Sequence, residues 1–216
     1  MLLEELEKMK TITIFEPHCD DALLSLYCHI EDWINEGYTI DISTVFTDGI
    51  RSSEKYCKFA SCAHSELLMD SIKRFDKDDF YQFKKIIKEE GYDFKRIIEK
   101  FKSLFSFEKD MYLVTDSDIV LLPLSIVHPE HFFVRDSFKG TDSQKVFYYA
   151  DVPYCYKKYG KDSIKNQDIF MISEKRLSIE KIIEKMRTFE LCYPTESMSR
   201  DWPIICENYF AERIYV

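Results

Sequence analysis

A chain of 216 residues with 45% apolar side chains is long enough to bury a real core, and its length predicts one domain over residues 1–216. Its formal net charge of −9 argues against nucleic acid or an anionic membrane as the main partner, since both select basic surfaces. The opening MLLEELEKMK is acidic and lacks a long apolar centre, no apolar run reaches the length of a membrane span, and the seven Cys form no CxxC pair. The expectation is a cytoplasmic protein with reduced thiols.

TITIFE (11–16) reads as a short, buried, β-branched strand. Over 21–36, Leu23, Leu24, Tyr27, Ile30, Trp33 and Ile34 recur at helical spacing, and Gly37 ends the run. TIDISTVF (39–46) is a second strand. The loop TDGIRSSE follows, with Gly49 as its turn residue and Ser53 as a helix cap, and it predicts a helix from Glu54 to Ser71. Residues 73–110 are dense in Lys, Glu, Asp and Phe with helical periodicity, and predict an inserted helical pair. Strands are expected at MYLV (111–114), DIVLLPL (118–124), VFYYADVPY (146–154) and IFMIS (169–173). A helix is expected over 174–190 and a short one within 203–212. Strands alternating with helices predict an α/β fold, Rossmann-like, with a mostly parallel sheet flanked by helices.

Two polar motifs close predicted strands: PHCDD at 17–21 and HPEH at 128–131. They hold three of the five His in the chain. His18 and Asp21 stand three residues apart across a strand-to-helix turn, a spacing that turns both toward one point. His128 and His131 repeat it. The carboxyl ends of strands in an open α/β sheet share one crevice, where ligands bind. Two imidazoles and a carboxylate suit zinc or a similar divalent first-row metal such as iron(II), and three protein ligands leave a position open for water. Asp20, between two such residues, is placed to take a proton from that water. Taken singly, the Asp pair is an ordinary helix N-terminus and HPEH an ordinary loop entering a helix with Pro at its start. Their conjunction favours the metal site.

PHCDD resembles the PHPDD motif of the PIG-L/LmbE-like deacetylases, zinc enzymes that remove acetyl from N-acetylglucosaminyl groups. TDG at 47–49 is similar to that family's T-x-G, DIVLLPLSIVHPEH to its strand running into HPDH, and YYADVPY to a later segment. The resemblance implies His18, Asp21 and His131 as zinc ligands, Asp20 as general base and then acid, and His128 as the partner of the oxyanion in its imidazolium form. It implies that Glu130 orients a neighbouring His. Cys19 replaces the family's Pro, Glu130 its Asp, ALLSLY its small-residue stretch, and Ala63-His64-Ser65-Glu66 its Arg-x-x-Glu helix, here without the Arg.

Asp48 and Arg51 on the second loop read as either sugar-binding groups or a solvated turn. His29 and His64 fall on expected helices and read as packing or surface residues. Tyr148, Tyr149, Tyr154, Tyr156 and Tyr159 offer stacking surface for a sugar, although strand aromatics belong more often to a core. The expected activity is removal of acetyl from an N-acetylated amino sugar or its conjugate. A related metal-dependent amidase or esterase, or a sugar-binding module that has lost catalysis, are the alternatives. The oligomeric state is left open.

Overall fold

The structure, a computed structural model of the chain, describes residues 10–46, 53–66, 77–90, 96–97, 99–100, 112–124, 128–165, 167–194 and 210–216. Among the described residues, seven strands form one sheet in the order β3-β2-β1-β4-β5-β7-β6. They are β1 (Thr11–Glu16), β2 (Thr39–Thr44), β3 (Ala63–Glu66), β4 (Ile119–Pro123), β5 (Lys145–Tyr149), β6 (Met171–Arg176) and β7 (Ala211–Tyr215). The first five are parallel; β7 runs antiparallel to both β5 and β6. The helices are α1 (Asp21–Asn35), α2 (Glu54–Ala60), α3 (Lys77–Glu89), α4 (Pro129–Ser137), α5 (Lys158–Lys165) and α6 (Ile179–Cys192). This is the expected α/β architecture.

Side chains alternate across a strand, so each strand serves two cores. Ile12 and Ile14 of β1, Ile40 and Ile42 of β2, and Leu121 of β4 pack with Leu23, Leu26 and Ile30 of α1 and Phe189 of α6. Phe15, Val120 and Leu122 face the other way and pack with Phe133 and Val134 of α4. The helices therefore cover both faces, as buried parallel strands require. No described helix is long and apolar enough to cross a membrane.

Four expectations need correction. The helix from Glu54 stops at Ala60, where Ser61 adopts a left-handed conformation (φ +59°), and residues 63–66 pair with β2 as an edge strand. AHSE carries too little apolar pattern to announce a strand; its pairing comes from the exposed edge of β2. Of MYLV, Met111 lies outside the described residues and 112–114 form no strand: Leu113 is buried and bridges Phe138, while Tyr112 and Val114 stand in solvent. The segment after IFMIS stays extended to Arg176, and the helix begins at Ile179 behind the Ser178 cap. The tail carries strand β7 where 203–212 reads as a helix; residues 203–209 lie outside the described residues, as do 67–71. Of the expected helical pair in 73–110, α3 is present and residues 96–97 and 99–100 are helical.

Strand β7 hides its charge pattern because Glu212 is buried in an ion pair. Its Oε1 lies 2.6 Å from Nζ of Lys185 on α6, and both side chains are almost wholly excluded from solvent. Lys185 also donates to the Leu24 carbonyl (2.8 Å), while Glu212 Oε2 accepts from the Cys28 N–H (2.9 Å). The pair thus enters the hydrogen-bond ladder of α1 at the Leu24–Cys28 step and ties α1, α6 and β7 together. Burial pulls Lys185 below its usual value against the Glu212 charge; burial pushes Glu212 up, but Lys185 and His29 hold it below the usual carboxylate range. Lys185→Met leaves a buried carboxylate without its cation and is expected to cost about 3–5 kcal/mol in denaturant unfolding. Adding Glu212→Gln is expected to recover most of that loss. Equal stability of the single variant and the wild type contradicts the weld.

Candidate metal centre

Strands β1 and β4 are neighbours, and both sequence motifs leave from their carboxyl ends. After β1 the chain turns through Pro17–Asp20 into α1. Asp20 occupies the cap position but gives no side-chain cap bond; instead Asp21 reaches back, its Oδ2 accepting from the His18 N–H at 2.9 Å. After β4, His128 caps α4, its Nδ1 accepting from the Glu130 N–H at 3.3 Å, with Pro129 at the first helical position. That cap projects His131 back toward the sheet, where it is fully buried.

Among the described residues, two sets of three side chains offer ligand atoms within 4.8 Å of one another: His18, Asp21 and His131, and His18, His128 and Glu130. In the first set Asp21 Oδ2 lies 3.3 Å from His18 Nδ1 and 3.4 Å from His131 Nε2. A tetrahedral ion with bonds near 2.0–2.1 Å separates its ligand atoms by about 3.3–3.4 Å. The donor set, two imidazoles and one carboxylate, and the two separations from Asp21 therefore fit a divalent first-row ion.

Each imidazole is held from behind by a carboxylate. Glu130 forms a short hydrogen bond with His18 Nε2, and Asp151 Oδ2 lies 3.4 Å from His131 Nδ1. Such outer carboxylates fix the ring and its tautomer for ligation. Burial works against charge on both rings, but Asp21 and Glu130 carry His18 well above its ordinary range, and Asp21 and Asp151 raise His131. Burial would lift Asp21; His131 and His18 hold it low. His128 behaves differently. Burial first, then His18, His131 and Lys84, push it well below its usual value. That direction runs against the imidazolium form. The His128 Nδ1 takes the Glu130 N–H at the helix cap.

The sequence-derived residues His18, Asp21, His128, Glu130 and His131 thus converge on one strand-end crevice, and Asp20 stands half-buried on the turn between two of them. Asp48 and Arg51 lie outside the described residues. Cys19 is buried in the α1 core, away from the donor set. Ala63-His64-Ser65-Glu66 forms β3 rather than a helix, and His64 faces Thr44 at 3.5 Å. The tyrosines divide. Tyr149 and Tyr156 are core, Tyr148 lies under Arg135, and Tyr154 walls the site, its ring perpendicular to His131 at 5.8 Å and 6.2 Å from His128. Sequence reasoning missed Asp151, although it stands inside the quoted YYADVPY. A charged residue directly after an apolar strand was its one available signal.

No protein-family model and no curated protein matches the chain. Solved structures do. A deacetylase from the biosynthesis pathway of teicoplanin superposes with TM-score 0.57 at 15% identity, covering 95% of this chain and 97% of that one. The zinc-inhibited form of teicoplanin deacetylase Orf2 gives 0.55 at 14% identity, with 95% and 97% covered. A triple mutant of that deacetylase gives 0.56 at 17% identity, with 95% and 96% covered. At these identities the likeness establishes the fold.

Glu16, the last residue of β1, is the other residue that sequence reasoning missed. It is fully buried and performs the capping that the Asp pair does not: its Oε2 accepts from the Ala22 N–H at 2.9 Å. Its Oε1 accepts from Thr44 Oγ1 (2.7 Å) and meets the Ser53 hydroxyl in a short contact. Ser53 Oγ is within donating reach of both Glu16 Oε1 and the Cys19 carbonyl, the latter at 2.6 Å. Burial pushes Glu16 up to about 8, against the bonds from Ser53, Ala22 and Thr44. The native state then keeps a proton that the unfolded chain releases near pH 4.5. Its stabilising contribution is complete below that pH and lost as pH rises through about 8. Glu16→Gln, uncharged throughout, is expected to remove this slope, which amounts to at most about 1.4 kcal/mol per pH unit. Parallel stability–pH curves for variant and wild type between pH 5 and 8 contradict the protonated carboxyl.

Proposed function

We propose that the chain is a metal-dependent N-deacetylase acting on an N-acetylated amino sugar or a conjugate of one. The observation that carries this reading is the convergence of His18, Asp21 and His131, with Asp21 3.3 Å and 3.4 Å from the two rings and His128 beside His18, in the crevice between β1 and β4. The three solved structures superposed above are called deacetylases, one of them in a zinc-inhibited form, which supports both the reaction class and a divalent ion. The excess of negative charge favours an uncharged sugar over a phosphate-rich polymer.

His18, Asp21 and His131 hold the ion, zinc or another divalent first-row metal, and Glu130 and Asp151 fix the two rings. When bound, such an ion supplies Lewis-acid polarisation of the acyl carbonyl and a nucleophilic water at neutral pH. Asp20 accepts the proton of the attacking water and returns it to the departing amine. His128 donates its Nε2 hydrogen to the carbonyl oxygen as negative charge develops there, an interaction that strengthens in the transition state. Tyr154, beside both rings of HPEH, gives the sugar an aromatic wall.

The test is acetate release from a panel of N-acetylated amino sugars, their glycosides and their lipid conjugates. Zinc-loaded protein is expected to release acetate from at least one of them, and a chelator is expected to stop it. Ala at His18, Asp21 or His131 removes the metal. Asp20→Asn keeps the metal and lowers turnover by roughly 10²–10⁴-fold. Binding of a panel member without product favours a binding module, and turnover of esters alone favours an esterase. Metal loss in Asp20→Asn exchanges the roles of the two aspartates.

A further inference from the structure

A second cluster lies further along α1. His29 stands two turns beyond Asp21, about 12 Å along the helix axis. Its Nδ1 is 3.2 Å from Glu212 Oε2, and its Nε2 is 3.0 Å from Ser173 Oγ on β6. The carboxylate fixes the tautomer. Glu212 faces the Lys185 ammonium and accepts from the Cys28 and His29 N–H groups, so it is ionised and has no proton to give. The Nδ1 must therefore carry the hydrogen. That leaves Nε2 as a bare acceptor aimed at the serine hydroxyl, the order of a carboxylate–imidazole–hydroxyl relay.

The relay meets a cavity. His29 and Ser173 line a space of about 200 Å³ whose other walls include Ile12, Trp33, Leu121, Phe147 and Ile214. Among the described residues, no Asp, Glu, Lys or Arg lines it. The pairing of β6 with β7 shifts register between Met171 and Ser173, so an extra residue stands directly before the serine. Such bulges redirect the neighbouring side chain. A buried hydrogen bond that only tied α1 to β6 has no need of an apolar hollow in front of it.

We propose that Ser173, His29 and Glu212 form a second, metal-independent acyl-transfer site that takes uncharged esters of short-chain acids. The cavity is smaller than the roughly 300–1,000 Å³ typical of sites for drug-sized ligands, which restricts the acyl group to a few carbons. Ser173 Oγ attacks the ester carbonyl carbon, and its proton passes to His29 Nε2. The bond from that carbon to the alcohol oxygen breaks, and His29 returns the proton to the departing alcohol. Water then attacks the acyl-serine with the same base, releasing the carboxylic acid and restoring the hydroxyl. Glu212 is the positioning residue: it holds the ring and balances the imidazolium that forms in each half.

The experiment uses the full chain with p-nitrophenyl butyrate in the presence of a chelator, and with diisopropyl fluorophosphate followed by peptide mass mapping. One phosphoryl adduct per chain is expected on the peptide carrying Ser173. Chelator-resistant p-nitrophenolate release is expected to fall at least 100-fold in Ser173→Ala. The same variant is expected to keep the metal content and chelator-sensitive acetate release of the wild type, so the two sites fail separately. His29→Gln, compared at equal folded content by circular dichroism, is expected to lose labelling. An unlabelled Ser173 after prolonged exposure to excess reagent, or equal ester turnover in Ser173→Ala and wild type, overturns the proposal.

Discussion

The site rests on a constraint of topology. From β1 the chain moves outward through β2 to β3, then returns to lay β4 against the other side of β1. The connections leaving β1 and β4 therefore diverge and open a crevice between two parallel strand ends, the place where open α/β sheets bind ligands. The polar residues of the proposed chemistry follow strand ends within eight residues: His18, Asp20 and Asp21 after β1, His128, Glu130 and His131 after β4, and Asp151 after β5. The hydrophobic alternation that seats β1 and β4 in two cores fixes the register Ile12–Ile119 and Ile14–Leu121, and with it the meeting of the two motifs.

The turn after β1 is stiffened from several sides. Glu16 caps the start of α1, and Ser53 and the Tyr193 hydroxyl both donate to the Cys19 carbonyl. Asp21 is thereby released from capping duty and turned toward His18 and His131. The bland reading of the Asp pair as a helix cap fails for this reason. HPEH serves two ends at once, since His128 caps α4 through Nδ1 while the helix it starts carries His131 into the site.

What could be read from the sequence follows where local pattern and tertiary structure agree. The apolar runs of β1, β2 and β4 and the amphipathic stretch of α1 stand out because burial on the sheet demands those residues. PHCDD and HPEH stand out because polar side chains closing an apolar strand have few structural uses. Strand β3 and strand β7 were hidden for different reasons. AHSE is extended only because β2 offers it an edge, and AERIY hides a buried Glu whose partner, Lys185, lies 27 residues away in sequence. Glu16 and Asp151 were missed alike, because a carboxylate that acts from behind another residue leaves no spacing signal.

The most direct measurement of the central claim is anomalous diffraction at the zinc edge from crystals of zinc-loaded protein. The account predicts one peak in the crevice between β1 and β4, bonded at about 2.0–2.2 Å to His18 Nδ1, Asp21 Oδ2 and His131 Nε2, with Glu130 and Asp151 behind the two rings. A peak seated instead among His18, His128 and Glu130 with Asp21 outside it, or no peak in that crevice, contradicts it.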